Sequence, residues 1–165
     1  MGIQGGNSFL MQPFMSDYLN NLQDLHREIL STVEELPPTA LDWTPPGSDY
    51  NSLNVLIVHL TGAERYWLGD VVAGEASGRD REAEFQLHGL SPDELRNRLE
   101  ESLVYAYGVL EKLTLPDLET SRISPRNGRE ITVAWALAHT LKHTALHVGH
   151  IQITRQLWDQ QNVRS

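Results

Sequence analysis

Four of the seven histidines fall within twelve residues: His139, His143, His147 and His150. The spacing is i, i+4, i+8, i+11, and at about 100° per residue these positions share an arc of roughly 80° on a helix. Side chains at i and i+4 can reach one point in space. Two imidazoles so placed are a common way to hold a divalent transition ion, because neutral imidazole is a good borderline ligand near neutral pH. The row is roughly 16 Å long at 1.5 Å per residue, so one ion cannot meet all four. Two adjacent members would ligate, and the others would back them, touch substrate or pack. A third ligand must come from another helix. His59 is the best placed, on the stripe Ser52, Leu56, His59, Ala63, Tyr66. His26, near Leu22, Ile29 and Leu30, and His88, next to Gly89, are weaker candidates. A lone inward histidine is more often a core residue bonded to a carbonyl; four on one face, with an inward His59, give the metal site its weight.

Other chemistry has little support. There is no Glu-x-x-His pair of the di-iron bundles, no His-Glu-x-x-His of the zincins, and no Gly-x-Ser-x-Gly or phosphate loop. The run Glu64-Arg65-Tyr66-Trp67 could carry an acid or base, but a packed helix face is the stronger expectation. Arg155, one turn past His150, is expected to be solvated or ion-paired rather than bound to a substrate anion.

The elements that must position these side chains are helices. The first is expected from about Phe14 to Leu36, with Leu19, Leu22, Leu25, Ile29, Leu30 and Val33 at helical spacing and Pro37-Pro38 as its stop. Residues 37–51 hold four prolines and a Gly-Ser-Asp turn, a linker that Trp43 tucks against the bundle. The second helix runs from about Ser52 to Ala73, capped by Asn51 or Ser52, and residues 74–90 read as a polar loop. Ser91-Pro92-Asp93-Glu94 is the clearest helix start in the chain: cap, proline at N1, acids in the first turn, and a capping box closed by Glu94. After Pro116 comes a loop with an Asn127-Gly128 turn, brief extension over Arg129 to Val133, and a last helix from about Thr132 to Trp158. Four helices of this length suit an all-α four-helix bundle, and the longer connections allow crossovers.

Composition narrows the setting. A chain of 165 residues with 40% apolar side chains forms one domain with a real core. We expect a flexible lead-in over 1–13, the bundle over 14–160 and a tail over 161–165. The net charge of −9 disfavours direct binding of nucleic acid. No run of 18 apolar residues exists to cross a membrane, and residues 1–8 have no signal-peptide or myristoylation pattern. The absence of cysteine removes disulfides, thiolate ligands and a cysteine nucleophile and is compatible with the expected cytoplasmic location.

Two segments carry a family resemblance. The run from Asn51 through Val58-His59-Leu60, followed by Glu64-Arg65-Tyr66-Trp67, resembles the second helix of the DinB/YfiT-like superfamily. The run from Leu137 to Ile151, with His143-x-x-x-His147-x-Gly149, resembles its last helix, and Leu41-Asp42-Trp43-Thr44-Pro45-Pro46 its linker. The resemblance spans about Phe14 to Trp158. It implies a four-helix bundle, commonly a homodimer, with a divalent ion, usually zinc or nickel, on His59, His143 and His147 and a position left for water. His139 could substitute in the pair, and His150 could stand behind it.

Three functions compete at this point. An open three-histidine centre could lower the pKa of bound water for hydrolysis, or bind and activate a small thiol; the family includes thiol transferases and metal-dependent hydrolases. The general base would be a metal hydroxide or His150. A non-catalytic, stress-related metal- or ligand-binding bundle is the second reading. A structural bundle with histidines in a polar core is the third.

Overall fold

The computed structural model describes residues 11–47 and 50–163. The first ten residues of the expected lead-in, Ser48-Asp49 of the linker turn and the last two residues of the tail lie outside that description.

Helix α1 spans Pro13–Val33, with proline in its first turn and Met15, Tyr18, Leu22, His26, Ile29 and Val33 buried at three- and four-residue steps. It stops three residues before the expected Leu36, although Leu36 is still buried. A single turn, α2 (Pro38–Leu41), follows. Asp42 then accepts from Asn54 Nδ2 (2.6 Å) and from the backbone N–H of Gly89, which ties this linker to the next long helix and to a later connection. Trp43 meets Trp158 edge-on at 5.7 Å, as expected of the linker.

Helix α3 (Leu53–Arg65) starts where Ser52 accepts from the N–H of Val55. Every side chain from Leu53 to Thr61 is buried, so α3 is enclosed rather than amphipathic. It continues as a π-helical segment, Tyr66–Ala73, closed by Gly74 at φ +72°, whose N–H bonds Gly69 O. The expected helix is thus continuous to Ala73, but its last two turns are wider. The 74–90 connection contains a further turn, α4 (Arg81–Glu84), capped by Asp80 through Ala83 N–H at 3.0 Å. Helix α5 spans Pro92–Leu110, and both halves of the Ser91/Glu94 capping box are formed. A 3-10 turn (Pro116–Glu119) leads to β1 (Ser121–Ile123), which pairs antiparallel with β2 (Glu130–Thr132) in register Arg122 to Ile131. The Asn127-Gly128 turn closes this hairpin, with Gly128 at φ +69°. The extension near Arg129 to Val133 is therefore β2; its partner β1 is too short to show in the sequence. Helix α6 (Val133–Val163) outlasts its expected end at Trp158.

The four long helices form a square in which α1 and α3 each pack against both α5 and α6. Two apolar clusters fill it. One takes Met15 and Leu22 of α1, Leu68 and Val71 after α3, Ala106 and Leu110 of α5, and Val133 and Leu137 of α6. The other takes Ile29 and Val33, Leu53 and Ile57, Leu95 and Leu99, Val148 and Ile151. The order in which each helix passes from cluster to cluster fixes its direction: α1 and α6 run one way, α3 and α5 the other. Because α3 and α5 are parallel, the connection between them must travel back along the whole bundle. It is this return path that carries α4 past the middle of the molecule.

Between the two clusters lies a polar layer with one residue from each long helix. Glu64 of α3 accepts from His26 Nε2 of α1 (3.0 and 3.1 Å), Ser102 Oγ of α5 (2.5 Å) and Thr144 Oγ1 of α6 (2.7 Å). A carboxylate 1% exposed is tolerable only when its oxygens are satisfied in this way. Burial pushes the Glu64 carboxyl up, but His26 and the three hydrogen-bond donors outweigh it and hold the group below the usual carboxylate range.

Candidate metal centre

The histidine row lies on one face of α6, as its spacing requires. His143 and His147 have ring centroids 4.5 Å apart. His59 of α3 stands against both, at 5.3 Å and 5.1 Å. One ring nitrogen from each of these three side chains lies within 4.8 Å of the other two. The structure thus brings together His59, His143 and His147, and leaves the other histidines out of the cluster. His139 is stacked on Trp135 at 4.7 Å and 13° and touches Trp67 edge-on. His150 is exposed beyond His147. His88 is exposed and bonds Gln86 O, and His26 belongs to the Glu64 layer.

The three imidazoles are prepared to bind a cation. Burial depresses His143 to about 4, with neighbouring positive groups adding to the effect. Burial likewise lowers His147 to about 3. Both rings are therefore neutral at neutral pH, the form that ligates metal. Their Nδ1 atoms are buried and have no hydrogen-bond partner. His59 Nδ1–H donates to Glu84 Oε2 at 3.0 Å, which orients the ring. Three converging rings, one oriented by a carboxylate and two neutral with unpaired buried nitrogens, fit a divalent ion.

Glu84 is held in turn. Arg79 donates Nε to Glu84 Oε1 (2.5 Å) and Nη2 to Oε2 (2.7 Å), and Nη2 also lies 3.4 Å from His59 O. Burial alone would raise the Glu84 carboxyl, but these bonds hold it below the usual carboxylate range. Gly62 makes room for the pair: a Cβ there would stand 2.2 Å from Glu84 Oε1. Neither Glu84 nor Arg79 was expected at the site, because both lie in the connection that reads as a polar loop. The legible signals were a glycine inside α3 and the Asp80-x-x-Ala83 cap.

The Glu64-Arg65-Tyr66-Trp67 run divides its labour. Glu64 is the buried hub, Arg65 covers the Tyr105 ring at 4.0 Å, Tyr66 Oη meets Ser124 Oγ at 2.7 Å, and Trp67 packs on Trp135 and His139. Arg155 pairs with Asp159 and donates to Thr32 O, as the ion-paired expectation had it. Beside the triad opens a cavity of about 540 Å3 whose wall includes His59, His143, Trp67 and three arginines.

A bundle with two parallel helix pairs and a histidine triad at mid-height defines the class. The sequence from residue 17 to residue 160 matches the mycothiol-S-transferase family, and the chain belongs to it, within the DinB/YfiT-like superfamily. Solved structures agree on the fold. YfiT from Bacillus subtilis, described as a probable metal-dependent hydrolase with an unusual four-helix bundle topology, is similar with a TM-score of 0.69 at 18% identity, over 94% of each chain. A DinB-like protein from Bacillus cereus matches with a TM-score of 0.69 at 13% identity, over 86% of this chain and 90% of the other. A mycothiol-dependent maleylpyruvate isomerase matches with a TM-score of 0.62 at 15% identity, over 83% of this chain and 60% of the other. No curated protein matches the sequence. Among the described residues, no helix is long and apolar enough to cross a membrane.

Proposed function

We infer that this protein is a metal-dependent transferase for a small thiol, mycothiol being the thiol its family points to, acting in the cytoplasm with His59, His143 and His147 as ligands of a zinc or nickel ion. The observation that carries this is the convergence of three imidazoles, from two helices, beside an open cavity. The ion would supply a concentrated positive charge that lowers the pKa of a thiol or water presented to it. The chain's own residues do the rest. Glu84 keeps the proton on His59 Nδ1, and Arg79 keeps Glu84 in place. Trp67 and His139, the latter stacked on Trp135, wall the cavity and limit water around the reacting group. All three ligands belong to one chain, so the homodimer implied by the resemblance is not needed to complete the site; light scattering checks it.

Elemental analysis of untagged protein tests the centre. About one zinc or nickel per chain is expected, lost in His59→Ala and in His147→Ala while far-UV circular dichroism stays helical. The loaded protein is then expected to conjugate a small thiol to an electrophilic acceptor. Full metal occupancy in both variants would remove the triad. A loaded protein that hydrolyses esters or amides but transfers no thiol would make it the hydrolase instead. Loading without either activity would leave the metal- or ligand-binding role.

A further inference from the structure

The cavity beside the triad has a charge opposite to that of the molecule. The chain carries a net −9, yet the residues lining this cavity include Arg79, Arg81 and Arg126 and no carboxylate. Each arginine is placed differently. Arg79 is paired through Nε and Nη2 with Glu84, which lines the neighbouring cavity with Gly62, so the unpaired charge of the wall rests on Arg81 and Arg126. Arg81 lies over the Phe85 ring at 4.8 Å, and its one ion pair is with the almost fully exposed Glu82, a contact that solvent weakens. Arg126 has its backbone held, its N–H donating to the buried Tyr66 Oη at 3.2 Å. Its guanidinium has no ion pair among the described residues.

We propose that this arginine wall is an oxyanion subsite, which selects small molecules carrying a carboxylate or phosphate at one end and reaching the histidine triad with the other. Guanidinium forks take both oxyanions in the same planar geometry. In an acidic protein, a concave positive wall focuses the field and discriminates by charge. Trp67, which lines the cavity, receives the apolar or unsaturated segment between the two ends. The subsite deepens the function inferred above, since it names the charge of the molecule that the metal centre would act on.

Calorimetry on the zinc-loaded protein at low salt tests it, with probes matched for shape. 3-Mercaptopropionate is set against 2-mercaptoethanol, and benzoate and phenyl phosphate against benzyl alcohol. The charged member of each set is expected to bind at least about tenfold more tightly, the scale of one charge-assisted hydrogen bond. The preference is expected to shrink as salt rises and to vanish in Arg81→Gln/Arg126→Gln, with zinc content unchanged. Arginine dependence separates this wall from simple ligation of the anion by zinc. Preference for the charged thiol alone places the oxyanion on the thiol, and preference for benzoate or phenyl phosphate places it on the acceptor. Equal affinity for charged and neutral probes, or a preference that survives the double substitution, overturns the proposal. If the protein takes up no zinc, the metal reading fails by itself, while arginine-dependent binding of benzoate or phenyl phosphate still upholds the subsite.

Discussion

Helix α3 takes part in two histidine–glutamate pairs five residues apart, giving the histidine to one and the glutamate to the other. His59 meets Glu84 at 3.0 Å, and Glu64 meets His26 at 3.0 Å. The bonds are alike and the surroundings are not. Both members of the His26–Glu64 pair are 1% exposed, and the remaining capacity of Glu64 is taken by Ser102 and Thr144 on two further helices. Glu84 comes instead from the connection that runs back along the bundle, and the ring of His59 stands against two more imidazoles. The same pair therefore locks four helices at one height in one case and orients one ring of the histidine cluster in the other. What decides is whether the far side of the pair is closed by packed helices or open to a ligand.

That contrast can be broken by substitution. The largest expected effect is that of Glu64→Gln, which places an amide where three donors converge; removing one partner of a buried ion pair costs about 3–5 kcal/mol. Urea unfolding would read this loss, with metal per chain unchanged. A variant of wild-type stability that has lost its metal would make Glu64 part of the site. Thr144→Val, buried between His143 and His147 in sequence, removes one hydrogen bond to the carboxylate. It should lower stability by about 1–3 kcal/mol and leave both ligands in place.

On the other pair, the effect moves to the ion. Glu84→Ala frees the His59 ring, and loss of such an orienting carboxylate weakens metal binding about 10- to 100-fold, measured by chelator competition, with little change in the unfolding midpoint of the metal-free protein. Gly62→Ala should act more mildly in the same direction, by about tenfold, because the new methyl group meets only side-chain ends, the carboxylate of Glu84 and Nε of Arg79. Both carboxyls are held below their ordinary range, and acid reads the fully buried one through stability. Glu64 is held below its ordinary value when folded, so between the folded and the ordinary value the unfolded chain binds more protons. Its contribution is complete above the ordinary carboxylate value and is lost as pH falls through the folded one. Unfolding midpoints measured downward from pH 7 should show this acid limb in wild type and a flatter one in Glu64→Gln.

The helices, their caps and the histidine face were legible because they rest on local rules. Ser91 and Glu94 form a capping box wherever a helix starts there, and residues at i and i+4 share a face in any helix. The burial of α3 on all sides, the widened turns after Arg65 and the short β1 were not legible, since each depends on what packs against them. His26 shows the limit most clearly. On the sequence it is a histidine on an apolar stripe, a weak candidate for the metal, and only the meeting of four helices gives it Glu64 as a partner.

The sequence by itself determined which histidines are available, that four of them share a helix face, and that the protein is a helical bundle, because period and capping are properties of a single segment. Only the tertiary structure decided that His59 completes the set, that Glu84 orients it, that Glu64 is a hub and that three arginines face the cavity. Those are distances between segments, set by the parallel course of α3 and α5 and by the connection that must return between them.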